Sequence, residues 1–154
     1  LILLFQTITL MESINFYTEG DAKLPMAEHE DAYRQWLYKV IQKEHKTAEQ
    51  LQYIFCDDEY LLDINKRYLD HDYYTDIITF PYREGSVLEG DMYISLDRVL
   101  ENAVEFGDTF ENELRRVMVH GLLHLMGYSD KTPEEEMTMR AKEDSCLELF
   151  DGGQ

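Results

Sequence analysis

Residues 108–130 read DTFENELRRVMVHGLLHLMGYSD and contain the most clearly signalled helix of the chain. Asp108 and Glu111 have the spacing of a capping box, which predicts the start of the helix. Gly127 stands where a helix C-terminus favours a left-handed residue. The apolar positions in between recur at helical spacing: Leu114, Val117, Met118, Leu122 and Leu125. The segment therefore predicts a long helix with a broad apolar face.

Two histidines and a carboxylate in this segment form a candidate metal site. His120 and His124 are four residues apart, which places them one above the other on one helix face. Gly127 can reverse the chain so that Asp130 supplies a third ligand, and three protein ligands are what an open catalytic zinc site needs. The pattern H-G-L-L-H-L-M-G-Y-S-D shares the H-x-x-x-H-x-x-G-x-x-ligand geometry of some zinc hydrolases. We predict one zinc-type ion per chain; two ordinary surface or core histidines are the alternative.

Two further positions of the helix bear on this site. Glu113, two turns before His120, is a candidate hydrogen-bond partner for a ligand imidazole, with a solvated helix charge as the alternative. Gly121 stands where the metalloprotease motif H-E-x-x-H carries its general base, so peptide hydrolysis by that route is not expected. Glycine here costs about 1 kcal/mol of helix propensity, which indicates a tight helix–helix contact or, alternatively, a close approach of substrate.

The remaining sequence alternates apolar runs with helical patterns. Short apolar runs predict four strands, around residues 14–16, 53–56, 77–80 and 91–95. Helices are predicted after Pro25, after Asp57 or Asp58, after Ser95, over the segment quoted above, and from Thr132. The predicted fold class is α+β, a mixed α/β sandwich of about four strands and about five helices with the metal site at a helix turn.

Composition limits the classes of partner. The chain has 154 residues, 44% of them apolar, and a formal net charge of -18. This size suits one compact domain. An acidic surface repels phosphate backbones and anionic membranes, so charge alone argues against DNA, other nucleic acids and membranes as partners. The two cysteines, Cys56 and Cys146, lie far apart and are expected to be buried thiols in a reducing compartment.

The first ten residues, LILLFQTITL, are apolar but too short to span a membrane. They lack the basic flank and the cleavage site of a signal peptide. We interpret residues 1–10 as a non-native lead before Met11, with an additional strand as the alternative, and residues 11–151 as a single metallohydrolase domain. Since no targeting signal is found, we expect a cytoplasmic protein.

A polar and aromatic segment, residues 65–76, leads into the third predicted strand. Its side chains can grip a ligand, and the candidates are Arg67, His71, Asp72, Thr75 and Asp76. For the aspartates at positions 72 and 76, an ordinary turn or cap role is the alternative.

Three blocks of sequence resemble the YbeY family of bacterial endoribonucleases. Residues 65–81, ending T-D-I-I-T-F-P, resemble the family's L-N-x-x-Y-R-x-x-D-x-P-T-D-V-L-S-F-P block. Residues 90–95, G-D-M-Y-I-S, resemble its G-D-I-x-I-S strand, and residues 119–128 resemble its H-G-x-L-H-L-x-G-Y-D-H metal motif. The blocks occur in the family's order, and the resemblance covers most of the chain, from about the first predicted helix to the last.

The resemblance implies a zinc-dependent, single-strand-specific RNA hydrolase with a mixed four-stranded sheet. In the family the role is ribosomal RNA maturation, especially at the 3′ end of the small-subunit RNA, and ribosome quality control. Ribosomal RNA and ribosomal proteins are then the expected partners. In our main hypothesis, we expect His120 to act as ligand and catalytic residue, Arg67 or His71 to neutralise the phosphate, and Asp72, Thr75 and Asp76 to contact substrate.

The chain departs from the family pattern at two positions. Asp130 stands where the family has a histidine ligand, which adds negative charge and makes metal-activated water less acidic. Leu69 stands where the family has an arginine linked to RNA cleavage, and Arg67 two residues earlier points about 200° away in a helix.

Two other hypotheses are compatible with the sequence. The protein is a ribosome-assembly factor that docks on basic ribosomal proteins and holds a structural metal, or it is a metallohydrolase acting on a substrate other than RNA. The number of protein ligands on the metal distinguishes the ribosome-assembly hypothesis from an enzyme. A structural zinc site is closed by four protein ligands, whereas a catalytic site keeps one position open.

Overall fold

The computed structural model describes residues 13–151, and the predicted lead at 1–10 lies outside them. The strands of this range are β1 (Ile14–Thr18), β2 (Thr47–Cys56), β3 (Ile77–Pro81) and β4 (Val87–Ser95). The helices are α1 (Glu30–Lys43), α2 (Asp58–Leu69), α3 (Leu96–Phe106), α4 (Phe110–Leu125) and α5 (Pro133–Glu148). Four strands and five helices confirm the predicted α+β class.

The four strands form one mixed sheet in the order β1-β2-β4-β3. β2 runs parallel to β1 and to β4, whereas β3 is antiparallel to β4 and lies at an edge. β2 is longer than predicted, because its first residues, 47–50, include a single apolar residue, Ala48, yet still pair with β4. The predicted neighbourhood of the third and fourth strands is confirmed.

Helices cover both faces of the sheet. The larger core cluster unites β-strand residues such as Met92 and Ile94 with side chains from α1, α4 and α5. A smaller cluster joins Ile78 to Leu61 and Ile64 of α2. Successive side chains of a strand point to opposite faces, so α2 covers one face while α4 lies across the other. This arrangement sets α4 behind the edge strand β3.

The start of α4 lies one residue later than predicted. Its N-cap is Thr109, whose side-chain oxygen accepts a hydrogen bond from the Asn112 backbone N–H at 3.1 Å. Asp108 instead accepts from the Thr109 N–H at 2.8 Å and from the Asn112 side chain at 2.6 Å. Thr109, rather than Asp108, therefore caps the helix. Asp108 lies just outside it, so the predicted capping box between Asp108 and Glu111 is not formed.

The end of α4 is as predicted. Gly127 has φ +103°, the left-handed conformation that a residue without a side chain adopts at low cost. The Gly127 N–H donates to the His124 carbonyl at 3.0 Å and the Tyr128 N–H to the Leu123 carbonyl at 3.1 Å. These two bonds make a Schellman motif, which turns the chain back towards the helix.

Both cysteines are free and buried, as predicted. Burial raises the pKa of the Cys56 thiol to about 12 and that of Cys146 to about 11, so neither is a thiolate near neutral pH. Within residues 13–151, the helices are too short or too polar to cross a membrane.

Candidate metal centre

The last turns of α4 and the loop after it bring three ligand groups together. The Nε2 atoms of His120 and His124 are 2.9 Å apart. After the reversal at Gly127, one carboxylate oxygen of Asp130 lies 3.4 Å from each of these nitrogens. Thr132 then caps α5 by accepting from the Glu135 N–H at 3.1 Å, so the short loop is held at both ends.

The hydrogen bonds of the two rings determine which nitrogen carries a lone pair. His124 Nδ1 lies 2.9 Å from the Tyr128 carbonyl oxygen, which can only accept, so Nδ1 donates. His120 Nδ1 lies 2.6 Å from a carboxylate oxygen of Glu143 and donates to it likewise. Each neutral ring therefore turns its Nε2 lone pair towards the other ring and towards Asp130.

This donor set fits a zinc-type cation. Two lone pairs and a carboxylate oxygen that converge on one point repel each other unless a cation lies between them. A tetrahedral ion with ligands at about 2.0–2.1 Å needs ligand atoms about 3.3–3.4 Å apart. The two distances to Asp130 are 3.4 Å, and only the separation of 2.9 Å between the nitrogens has to widen slightly. Nitrogen and oxygen donors of this kind suit zinc.

Negative charge surrounds the centre. Burial alone would lower the pKa of His120, but its hydrogen bond to Glu143 and the charges of Glu143, Asp130 and Asp76 outweigh burial, so the pKa is raised. Burial also raises the pKa of Asp76, against the lowering influence of His120. An environment that favours a proton on an imidazole favours a metal cation for the same electrostatic reason.

Glu143 of α5, not the predicted Glu113, is the hydrogen-bond partner of a ligand imidazole. Glu143 is buried, and its other oxygen accepts from Arg116 at 3.0 Å, so the carboxylate is held from two sides. Glu113 is buried as well, and burial together with the charge of Asp76 raises its pKa to about 7. The prediction of Glu113 was wrong because Glu143 reaches His120 from a neighbouring helix.

A cavity of about 540 Å³ opens beside the centre and is bounded by the two histidines and Asp130. Three predicted substrate contacts line it: His71, Thr75 and Asp76. Asn65, Leu69 and Tyr73 line it too, although they are not among the predicted substrate contacts. Asn65 is buried in the second half of α2, and its side-chain amide donates to the Tyr73 carbonyl at 2.9 Å, which fixes the loop that borders the cavity.

Two predicted contacts lie elsewhere. Arg67 is exposed on α2 and pairs with Asp63 at 3.0 Å, because the helix turns Leu69 rather than Arg67 towards the cavity. Asp72 is exposed and pairs with Lys66 at 3.4 Å. Among the described residues lining the cavity there is neither lysine nor arginine, so His71 is the remaining candidate for a cationic contact to phosphate.

Gly121 lets α4 approach the sheet closely. A Cβ atom at this position would lie 2.6 Å from Ile77 Cδ1, 3.1 Å from Met92 Sδ and 3.2 Å from Thr79 Oγ1. The tight contact that the sequence indicated is therefore made with β3 and β4 rather than with another helix. It brings the histidine-bearing helix against the strand that borders the cavity.

An open three-ligand centre beside a cavity on an α+β scaffold is typical of metal-dependent hydrolases. Comparison with known proteins narrows this class. A family model described as endoribonuclease YbeY matches residues 15–151, and the chain belongs to that family of RNA-cleaving hydrolases. The family resemblance in the sequence is thereby confirmed.

Individual relatives match over nearly their whole length. Endoribonuclease YbeY from Flavobacterium psychrophilum is 49% identical over 137 residues, which cover 89% of this chain and 96% of that protein. Endoribonuclease YbeY from Cytophaga hutchinsonii is 50% identical over 141 residues, 91% of this chain and 98% of that protein. The solution structure of TM1509 from Thermotoga maritima matches with a TM-score of 0.67 and 28% identity, over 89% of this chain and 88% of that one.

Proposed function

We propose that this chain is a zinc-dependent endoribonuclease that cleaves single-stranded RNA at the cavity beside His120, His124 and Asp130. The observation that carries the proposal is the convergence of these three ligand atoms at 2.9–3.4 Å next to an open cavity, in a chain of the endoribonuclease YbeY family. In this proposal residues 11–151 act as one metallohydrolase domain.

The residues of the chain prepare the site before substrate arrives. Glu143 and the Tyr128 carbonyl hold the two imidazoles in the tautomer that offers Nε2, so the ligands need little reorganisation. When bound, a zinc-type ion supplies Lewis acidity, which activates water and stabilises negative charge on a phosphodiester. The Tyr128 carbonyl and the Glu143 carboxylate thus also stabilise positive charge on the imidazole rings of the two ligands.

Substrate contacts are proposed for the far side of the cavity. His71 offers a cation or a hydrogen bond to phosphate, and Thr75 offers a hydroxyl. The Asp76 carboxylate accepts hydrogen bonds, for which the 2′-hydroxyl and the base amino groups of RNA are suitable donors. A concave cavity of this kind receives unstacked nucleotides more readily than a regular duplex, which supports single-strand specificity.

The negative net charge of the chain affects the form in which it can bind RNA. With a net charge of -18, the protein is expected to bind naked RNA weakly, because affinity for the phosphate backbone rests on cationic contacts. We therefore propose that it meets ribosomal RNA in the presence of basic ribosomal proteins, during maturation of the small-subunit RNA 3′ end and in ribosome quality control. The proposed location is the cytoplasm.

A purely structural metal is the rival explanation and is less well supported. A structural zinc site is closed by four protein ligands. Within residues 13–151, three such groups come together, and they border a cavity that substrate can enter. The ribosome-assembly role without catalysis therefore has only the acidic surface in its favour. A peptide substrate lacks support because Gly121 occupies the position of the protease base.

The proposal is tested by cleavage of an end-labelled oligoribonucleotide, single-stranded or annealed to its complement, at low salt. We expect cleavage of the single strand only. Chelation should reduce the rate by about a hundredfold or more, because the ion supplies several kcal/mol of transition-state stabilisation, and zinc should restore it. A protein-free reaction with the same zinc is the control. Equal cleavage with and without chelator would overturn the metal mechanism.

A further inference from the structure

The outer edge of β3, the side of the strand that faces away from β4, runs along the cavity beside the metal centre. Within residues 13–151, β3 pairs with β4 alone, so the backbone on this side has no strand partner. Every residue of β3 except Phe80 lines the cavity, together with the two ligand histidines of α4. An unpaired strand edge presents a row of backbone donors and acceptors, and here that row borders the metal centre.

The register with β4 determines which backbone groups face outwards. Just before β3 begins, the Asp76 carbonyl accepts a hydrogen bond from the Ser95 N–H at 2.9 Å. Just after it ends, the Tyr82 N–H donates to the Glu89 carbonyl, also at 2.9 Å. In an antiparallel pair, residues that exchange hydrogen bonds alternate with residues that do not. The even-numbered residues of β3 therefore bond to β4, and the odd-numbered residues direct their backbone groups to the outer edge.

Three residues contribute these outward groups: Ile77, Thr79 and Pro81. Thr79 offers an N–H and a C=O side by side, and residues 13–151 supply neither group with a hydrogen-bond partner. Pro81 has a carbonyl but no N–H, as expected for a proline on an edge strand. The outer edge thus carries three carbonyl acceptors and two N–H donors, and the Asp76 carboxylate at its start adds another acceptor.

The side chains of the strand do not cover this edge. Ile77 and Thr79 point towards α4, where Ile77 Cδ1 and Thr79 Oγ1 lie against Gly121. Side chains of a strand stand roughly perpendicular to the sheet, whereas the backbone N–H and C=O groups lie within its plane. A ligand in the cavity therefore reaches the Thr79 backbone from the side while the Thr79 side chain stays packed against the helix.

This pattern of groups suits an unstacked nucleobase. The Watson–Crick edge of a base places donors beside acceptors, which matches the N–H and C=O pair of Thr79. Acceptors outnumber donors along the rest of the edge, and the amino groups of adenine, cytosine and guanine each carry two protons that satisfy acceptors. Uracil lacks an amino group, so its carbonyl oxygens would face other acceptors. An extended peptide fits less well, because strand addition needs the N–H that Pro81 lacks.

We propose that the outer edge of β3 binds one base of the RNA substrate through the backbone N–H and C=O of Thr79, and that it prefers a base with an amino group to uracil. The identity of the ligand rests on the proposed RNA cleavage. The preference itself is a property of binding, so it is measured without cleavage.

The test compares short oligouridylates in which one uridine at a time is replaced by adenosine or by purine riboside, which is adenosine without its amino group. Binding to the full-length protein is followed by fluorescence anisotropy with chelator present, so that metal-dependent cleavage does not consume the RNA. We expect one position at which adenosine binds about fivefold more tightly than uridine or purine riboside, the effect of one hydrogen bond between neutral groups.

Two variants of Thr79 separate its backbone from its side chain. Thr79→Pro removes the outward N–H without removing a bond to β4, and Pro81 shows that this strand accommodates proline at an outward position. Thr79→Val keeps the backbone and removes only the hydroxyl. We expect Thr79→Pro to bind the three oligonucleotides with equal affinity and Thr79→Val to retain the preference for adenosine. Circular dichroism and urea unfolding check that both variants fold.

The comparison of adenosine with purine riboside uses the parent protein, so it decides the question even if Thr79→Pro does not fold. Equal affinities for these two bases at every position would overturn the proposal. A preference that persists in folded Thr79→Pro, or disappears in Thr79→Val, would contradict the role of the backbone. Displacement of the RNA by a lower concentration of an extended peptide would assign the edge to strand addition instead. Failure of the proposed function is seen separately, as missing zinc-dependent cleavage of oligonucleotides that still show the preference.

Discussion

Replacing both ligand histidines, in H120A/H124A, is expected to remove bound metal and RNA cleavage together. The two Nε2 atoms form one side of the proposed coordination triangle, and the remaining Asp130 cannot hold the ion alone. Since a metal supplies several kcal/mol and each 1.36 kcal/mol is a factor of ten, the rate should fall by about a thousandfold or more. Metal content by mass spectrometry and single-strand RNA cleavage are measured on the same preparations.

The fold should survive this change, because both rings are only partly buried and lie at the edge of a cavity. His29→Ala is a matched control, since His29 is an exposed histidine that borders a different cavity. It should keep metal and activity. Cleavage at the parent rate by a folded H120A/H124A protein would refute catalysis through this centre.

The second large effect is expected at Glu143, which no motif marks. Glu143→Ala removes the acceptor of the His120 Nδ1 proton and one partner of Arg116. Loss of such a support for a metal ligand lowers metal affinity about 10- to 100-fold. Breaking a buried ion pair costs about 3–5 kcal/mol of unfolding free energy. We therefore expect weaker zinc binding in a competition assay with a chromophoric chelator, and a lower midpoint of urea unfolding.

Asp144→Ala separates the two effects of Glu143→Ala. Asp144 is exposed and pairs with the same Arg116, at 2.7 Å, but does not touch either ligand ring. It should bind zinc as the parent does. If Asp144→Ala lost as much zinc affinity as Glu143→Ala, the effect would belong to Arg116 or to the packing of α5, and the role assigned to Glu143 would be wrong.

Features that depend on short stretches of chain were predictable from the sequence. The apolar spacing of α4, the pair His120 and His124, the left-handed Gly127 and the Thr132 cap each follow from residues at most a few positions apart. The helix, the reversal at Gly127 and the cap at Thr132 follow one another along the chain, and together they place Asp130 beside the two histidines. The mixed arrangement of the four strands was predicted from the resemblance to the family, because local sequence patterns alone do not specify strand order or direction.

Features that depend on packing between distant elements were not predictable. Glu143 is 23 positions after His120, and only the packing of α5 against α4 brings them together. Arg67 was a candidate for phosphate contact by residue type, although helical geometry already placed it about 200° from Leu69, the residue that the structure turns to the cavity. The first residues of β2, 47–50, gave too weak an apolar signal to be predicted as strand, and they pair with β4 through the backbone.

The most direct test of the central claim is a crystal structure of the protein grown with zinc, measured with anomalous scattering on both sides of the zinc absorption edge. We expect one peak per chain, at about 2.0–2.2 Å from Nε2 of His120, Nε2 of His124 and a carboxylate oxygen of Asp130. A carboxylate of Asp130 turned away from the rings, or zinc bound elsewhere with this triangle empty, would contradict the account.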